Sequence, residues 1–262
     1  MDYKRAIFFD IDHTLYNPND KTIPASTVNA LKKLSERKDT LIAVATGRAF
    51  YMLEGVIDPL RPYIEAYITI NGQTIHHHGK LIHDEPMDKK LAVKARKTFQ
   101  RLDLTYGFIG ADSQVVNRLN GYVKSMFIDQ RIPLPKVDPE YEKHHKVYQM
   151  WAFGDAETLK KVRGHIDPSY IVPWVSDGFD IIDPERNKLH GIERLIDRLE
   201  IPMDKVYCFG DGANDLQMLK GVPHSFAMAN ASDSVKKHAK YTTAAFDENG
   251  IEKALKWLKL ID

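Results

Sequence analysis

Only one cysteine, Cys208, occurs in 262 residues, so no internal disulfide can form and no cysteine-built zinc site is available. Long apolar runs are missing as well. Nothing approaches the roughly eighteen consecutive apolar residues of a membrane helix, and the apolar stretch before Asp10 is too short for a signal peptide. A dominant charge is also lacking. Lys and Arg number 37 against 36 Asp and Glu, a formal +1 with no block of one sign, which removes the electrostatic case for nucleic acid or a membrane surface as partner. There is no internal repeat and no low-complexity segment. What is present is ordinary for a globular protein: 43% hydrophobic and 28% charged residues, which excludes a disordered chain. The expectation is a reduced, cytoplasmic protein, monomer or homodimer, long enough for a core plus an inserted module.

Three short apolar runs, 6–9, 41–45 and 206–209, read as strands covered on both faces. Between the first two, residues 24–37 carry Val28, Leu31 and Leu34 at helical spacing behind Pro24. Strand, helix, strand is the βαβ unit of an open α/β sheet, whose ligands gather at the carboxyl ends of the strands. The chain's end repeats the rhythm, with helix expected at 214–219, strand at 225–228, and helices at 232–239 and 247–258. The middle differs: a hairpin through 74–82, a helix at 88–102, then short strand patterns at 115–116, 147–153, 170–175 and 179–182 and a helix at 156–165. This predicts a Rossmann-like, doubly wound parallel core formed by 1–82 and 184–262, with an α+β module inserted at 83–183. Trp151, Trp174 and Trp257 lie in apolar patterns and are expected in the core. His76, His77 and His78 read as hairpin surface, because consecutive strand residues point to opposite faces and cannot share one ion.

The chemistry-bearing residues follow the three strands. Asp10-Ile11-Asp12-His13-Thr14 comes directly after the first; alone, it also reads as a turn and helix cap. Thr46-Gly47-Arg48 follows the second, either a plain βα turn or an anion-binding corner that a helix starting at Ala49 would reinforce. Gly210-Asp211-Gly212-Ala213-Asn214-Asp215 follows the third. Together they bring Asp10, Asp12 and Asp211 to neighbouring strand ends, where like charges repel unless a cation or proton intervenes. Oxygen-only ligands suit Mg²⁺, which keeps room for water and a substrate phosphate. Lys188, where the chain re-enters the core, is the best-placed lysine. Such a site is built for phosphoryl groups.

At these residues the chain resembles the haloacid dehalogenase-like (HAD) phosphohydrolases, specifically the Cof-type branch with a large α+β cap. Asp10-Ile11-Asp12-His13-Thr14 is similar to the family's DxDxT loop, Thr46-Gly47-Arg48 to its second motif, Lys188 to its third, and 210–215 to its fourth. Asn71-Gly72-Gln73-Thr74-Ile75 and Ala227-Met228-Ala229-Asn230-Ala231 look Cof-like too. The resemblance implies that Asp10 is the nucleophile, forming an aspartyl-phosphate, and that Asp12 is the general acid and base. It implies Mg²⁺ held by the Asp10 carboxylate, the Asp12 backbone carbonyl and Asp211. The phosphate would meet the Ile11 amide, Thr46, Gly47, Lys188 and Asn214, with Asp215 supporting the metal shell. Two departures stand out: His13 replaces a usual glycine, and Leu189-His190 follows Lys188 where a glycine is common. The activity so implied is hydrolysis of a small phosphorylated metabolite, a sugar phosphate or a phosphorylated cofactor, with the cap setting specificity. A phosphotransferase or phosphomutase of the same superfamily, and a non-catalytic phospho-receiver, are the alternatives.

Overall fold

Strand β1 (Arg5–Phe9) is buried almost throughout, as an unbroken apolar sequence requires. Its side chains alternate. Ile7 and Phe9 enter one hydrophobic cluster, while Ala6 and Phe8 enter another on the opposite face of the same sheet. The computed structural model describes residues 3–129, 133–174 and 177–262. It divides into two compact units, Met1–Asp84 with Arg186–Asp262, and Glu85–Glu185. The sequence reading set the ends of the insertion two residues earlier.

In the first unit β1 leads through α1 (Ala25–Ser35) to β2 (Thr40–Ala45), β3 (Ala66–Thr69), β4 (Thr74–His77) and β5 (Lys80–Asp84). The second unit contains α2 (Lys89–Arg101), β6 (Tyr106–Ile109), β7 (Gln114–Val116), α3 (Gly121–Asp129), β8 (Lys136–Val137), β9 (Gln149–Ala152), α4 (Ala156–Arg163), β10 (Ile171–Pro173) and β11 (Phe179–Ile181). Val175, the last residue of a predicted strand, lies outside the described residues. The first unit resumes with α5 (Lys188–Arg198), β12 (Val206–Gly210), α6 (Leu216–Gly221), β13 (His224–Ala227), α7 (Asp233–Lys236), β14 (Tyr241–Thr242) and α8 (Gly250–Trp257).

The first unit's sheet has the order β14-β13-β12-β1-β2-β3-β4-β5. It is parallel from β14 to β3 and antiparallel across β3-β4-β5. After β1 the chain steps outward to β2 and β3, then returns to add β12 on the other side of β1. That reversal opens the crevice where α/β proteins bind ligands. Leu31 and Leu34 of α1 and Ile251 and Leu255 of α8 cover one face. Ile192 and Leu195 of α5 and Met218 and Leu219 of α6 cover the other. The second unit is a six-stranded sheet, β10-β11-β9-β6-β7-β8, antiparallel except for the β7–β8 pair. Ala92, Ala95 and Phe99 of α2 pack on one face of it, and Val123 and Phe127 of α3 pack against Trp151 on the other.

Three expectations change. Trp257 is 61% exposed, because α8 buries Ile251, Ala254 and Leu255 and leaves Trp257 off that stripe, edge-on to Tyr241. The closing helix is interrupted at Asn249, whose left-handed backbone (φ 62°) separates a short turn at Phe246–Glu248 from α8. The hairpin histidines are not all surface. His76 stacks on Phe50 with ring centroids 4.0 Å apart, whereas His77 lies edge-on to Tyr3, so both are half-buried while His78 is exposed.

Candidate active site

Asp10 directly follows β1 in line with the sheet, its main-chain N–H donating to the Phe209 carbonyl at 2.9 Å. Its side chain is only 8% exposed. Lys188 opens α5, a helix start fixed by Asn187, whose side chain accepts from the His190 amide at 3.2 Å. The buried Lys188 ammonium donates to Asp10 Oδ1 at 2.5 Å and to Asp215 Oδ1 at 2.6 Å. Reaching that position requires close backbone contact. Gly72 has φ +99°, and a Cβ there would lie 2.2 Å from the Asn187 carbonyl oxygen, so only glycine lets β3's loop pass beneath the start of α5.

The loop after β12 is organised by Asp215. Its Oδ2 accepts the amides of Asp211 at 2.9 Å and Gly212 at 2.8 Å, and its Oδ1 holds Lys188. These bonds satisfy a carboxylate with no exposed surface and point Asp211 toward Asp10. Carboxylate oxygens of Asp10, Asp211 and Asp215 lie within 4.8 Å of one another. Burial, reinforced by Asp215 and Asp12, pushes the Asp10 carboxyl well up against the pull of Lys188. Burial and Asp215 push Asp211 up to about 6. Burial would lower Lys188, but Asp10 and Asp215 outweigh it and keep the ammonium charged. One ammonium therefore faces three close carboxyls, and their repulsion is relieved either by a retained proton or by a cation. The donors are all hard oxygens, so the residues fit Mg²⁺ as that cation. Asp215 turns Oδ2 to the loop amides and Oδ1 to Lys188, with the Asp10 and Asp211 carboxylates beside it.

The predicted phosphate-binding residues assemble beside this cluster. The Ile11 side chain is fully buried, so only its main chain can face the crevice. Thr46 continues β2 by donating its N–H to the Ile68 carbonyl at 2.9 Å, and its hydroxyl accepts from the Arg48 amide at 3.1 Å. A Cβ on Gly47 would lie 3.2 Å from Asn71 Oδ1 and 3.5 Å from Asn214 Nδ2, which brings Gly47 and Asn214 into one corner. No α-helix begins at Ala49 to reinforce this corner. Ala49 is extended, and only a short 3₁₀ turn, Phe50–Leu53, follows, so this corner relies on its hydroxyl and amides rather than on a helix dipole.

Sequence reasoning gave no role to four residues that the fold brings here. Arg48 grips Asp12 with two bonds, Nε to Oδ2 at 2.8 Å and Nη2 to Oδ1 at 2.7 Å. Thr14 donates to Asp211 Oδ1 at 3.3 Å. Asn71 accepts from Asn214, and Asn230 bonds both the His13 carbonyl and Asp211 Oδ2. All four stand inside stretches already quoted for the family resemblance, which was the available signal. His13 sits at φ 58°, the left-handed region that suits the glycine it replaces. Its ring lies 6.0 Å from that of Phe246.

The profile of a family described as haloacid dehalogenase-like hydrolase matches residues 7–255. The candidate phosphatase YkrA of Bacillus subtilis is 29% identical over 263 residues, covering 100% of both chains. A protein of Streptococcus pyogenes, named as a candidate bifunctional phosphatase and peptidyl-prolyl cis-trans isomerase, is 28% identical over 98% of this chain. This chain spans only 54% of that protein's length. A solved structure titled as a HAD subclass IIB sugar phosphatase superimposes with a TM-score of 0.86 at 32% identity, covering 98% of this chain and 100% of that one.

Proposed function

This chain belongs to the haloacid dehalogenase-like hydrolase family, and we propose that it is a Mg²⁺-dependent phosphomonoesterase. It hydrolyses a small phosphorylated metabolite, a sugar phosphate or a phosphorylated cofactor, through an aspartyl-phosphate on Asp10. The observation that carries this reading is the buried Asp10 carboxylate, bonded to Lys188 and beside Asp211, at a strand end that opens on the crevice. A carboxylate attacks a phosphate dianion only where nearby cations offset their repulsion. The relatives named as phosphatases point the same way.

In the first step an Asp10 oxygen attacks phosphorus, the ester P–O bond breaks, and the departing oxygen takes a proton from Asp12. In the second, water attacks the aspartyl-phosphate and yields its proton to the Asp12 carboxylate. The Asp10–phosphorus bond breaks, and phosphate leaves with Asp10 and Asp12 restored. Lys188, the Ile11 amide, Thr46, Gly47 and Asn214 hold the phosphoryl oxygens, while Asp215 holds Lys188 and the Asp211 loop. Asp10, the Asp12 carbonyl and Asp211 would hold Mg²⁺, which supplies charge neutralisation for the carboxylates and the phosphate. The Glu85–Glu185 unit sets the choice of substrate. The protein works in the cytoplasm as a monomer or homodimer.

The test is rapid mixing with p-nitrophenyl phosphate and with a sugar monophosphate. Asp10→Asn forms no phosphoenzyme with either. Asp12→Ala loses nearly all sugar-phosphate turnover, since acid–base help is worth about 10²–10⁴ for a poor leaving group. It still releases about one equivalent of nitrophenol per enzyme before a slow steady rate, with label on Asp10. EDTA stops both phases and Mg²⁺ restores them. Equal loss on both substrates with no burst, in a variant that is folded and still binds Mg²⁺, overturns the assignment.

A further inference from the structure

We propose that Arg48 is the positioning residue for Asp12, acting on the reaction only through that carboxylate; the inference rests on reading Asp12 as the acid–base group. Among the described residues, Arg48 is the one side chain bonded to the Asp12 carboxylate, and it meets both oxygens, at 2.8 Å and 2.7 Å. A guanidinium fork bonded at two points sets the plane of the carboxylate as well as its place. Asp12 needs that constraint. Its side chain is 35% exposed, and the two bonds to Arg48 are what fix the plane of its carboxylate.

The fork is itself anchored. The Arg48 amide donates to Thr46 Oγ1 at 3.1 Å, and its carbonyl accepts from the Ile70 amide at 2.9 Å. Its guanidinium carbon lies 5.9 Å from the centre of the Tyr16 ring, and Tyr16 is tied by its amide to the Ile11 carbonyl at 2.9 Å. Arg48 therefore joins the loop after β2 to the loop after β1, 36 residues away in sequence. Because the acid must reach the leaving oxygen and then a water on the same line, a carboxylate rotated out of place costs both steps.

A double-mutant cycle separates this role from direct substrate binding and from simple support of the fold. Wild type, Arg48→Ala, Asp12→Ala and the double variant are compared with p-nitrophenyl phosphate and a sugar monophosphate. Arg48→Ala is expected to keep a burst of about one equivalent and a KM within about threefold, while kcat falls by about 10²-fold. The double variant is expected to be no slower than Asp12→Ala alone. Added guanidinium ion partly restores Arg48→Ala but not the double variant, and Arg48→Lys stays slow, since an ammonium cannot form the fork. Multiplying losses in the double variant, or a raised KM with unchanged kcat, overturn the inference. An Arg48→Ala protein as fast as wild type overturns it too, and leaves the parent reading standing if Asp12→Ala is slow. Wild-type turnover in Asp12→Ala overturns both. If Arg48→Ala does not fold, the same cycle run with Arg48→Lys decides.

Discussion

His13 and Gly72 both hold left-handed backbone, at φ 58° and +99°, and they respond oppositely to substitution. A β-carbon in this region costs about 1–2 kcal/mol, so His13→Gly relieves backbone strain while losing an edge contact with Phe246 and the imidazole's influence on Asp211. We expect it to melt no lower than the parent, and up to a few degrees higher. Gly72→Ala adds a clash to the strain, because its Cβ would meet backbone 2.2 Å away at Asn187. Urea unfolding should show a loss of about 3 kcal/mol or more, with Lys188 displaced from Asp10. Equal stabilities for Gly72→Ala and the parent would mean that the close approach is not required. At this scale the sequence was informative where chemistry is local. Asp10, Asp12, Asp211 and Lys188 were legible from their positions after strands or at the insertion's end. The Arg48–Asp12 bond was not, since no local pattern encodes a contact across 36 residues.

Elements were legible in proportion to how local their determinants are. The predicted helix at 88–102 is α2, Lys89–Arg101, because Asp88 caps it through the Leu91 amide and Ala92, Ala95 and Phe99 keep one buried face. β3 went unread. Four residues, Ala66–Thr69, have no alternation to detect when both faces are buried. β11 carries a consequence that its sequence alone did not suggest. Phe179 and Ile181 enter the second unit's core, so Asp180 faces the other way, opposite Trp151 of β9. Burial pushes its carboxyl up to about 6, against bonds from Trp174 and Gln149 that hold it down. An unfolded chain releases this proton near pH 4. The folded state keeps it longer, so Asp180's favourable contribution is whole below pH 4 and is lost as pH rises through 6. Asp180→Asn has no proton to lose. Its melting temperature relative to the parent should rise between pH 4 and pH 7.5, by the equivalent of roughly 3 kcal/mol at most. A difference that stays constant with pH would show that Asp180 titrates normally.

Each of the two units has its own hydrophobic clusters. Joining Asp84 to Arg186 with a short Gly-Ser linker should therefore leave a folded first unit, with a cooperative thermal transition and a helical circular-dichroism signal. That unit retains Asp10, Lys188, Asp211 and Asp215, and under the proposed function it hydrolyses p-nitrophenyl phosphate slowly while losing discrimination among natural esters. An insoluble product beside a well-behaved full-length control would show that the insertion supports the core. No helix among the described residues is long and apolar enough to cross a membrane. The sequence by itself determined the α/β rhythm, the presence of an insertion and the residue types at three strand ends, because hydrophobic period and turn chemistry act over a few residues. Only the tertiary structure decided that β12 lies beside β1, that Lys188 is buried between Asp10 and Asp215, and that Arg48 clasps Asp12. Those outcomes depend on strand order and on the burial of charge among residues far apart in the chain, where pairing is settled by which packing satisfies every buried group at once.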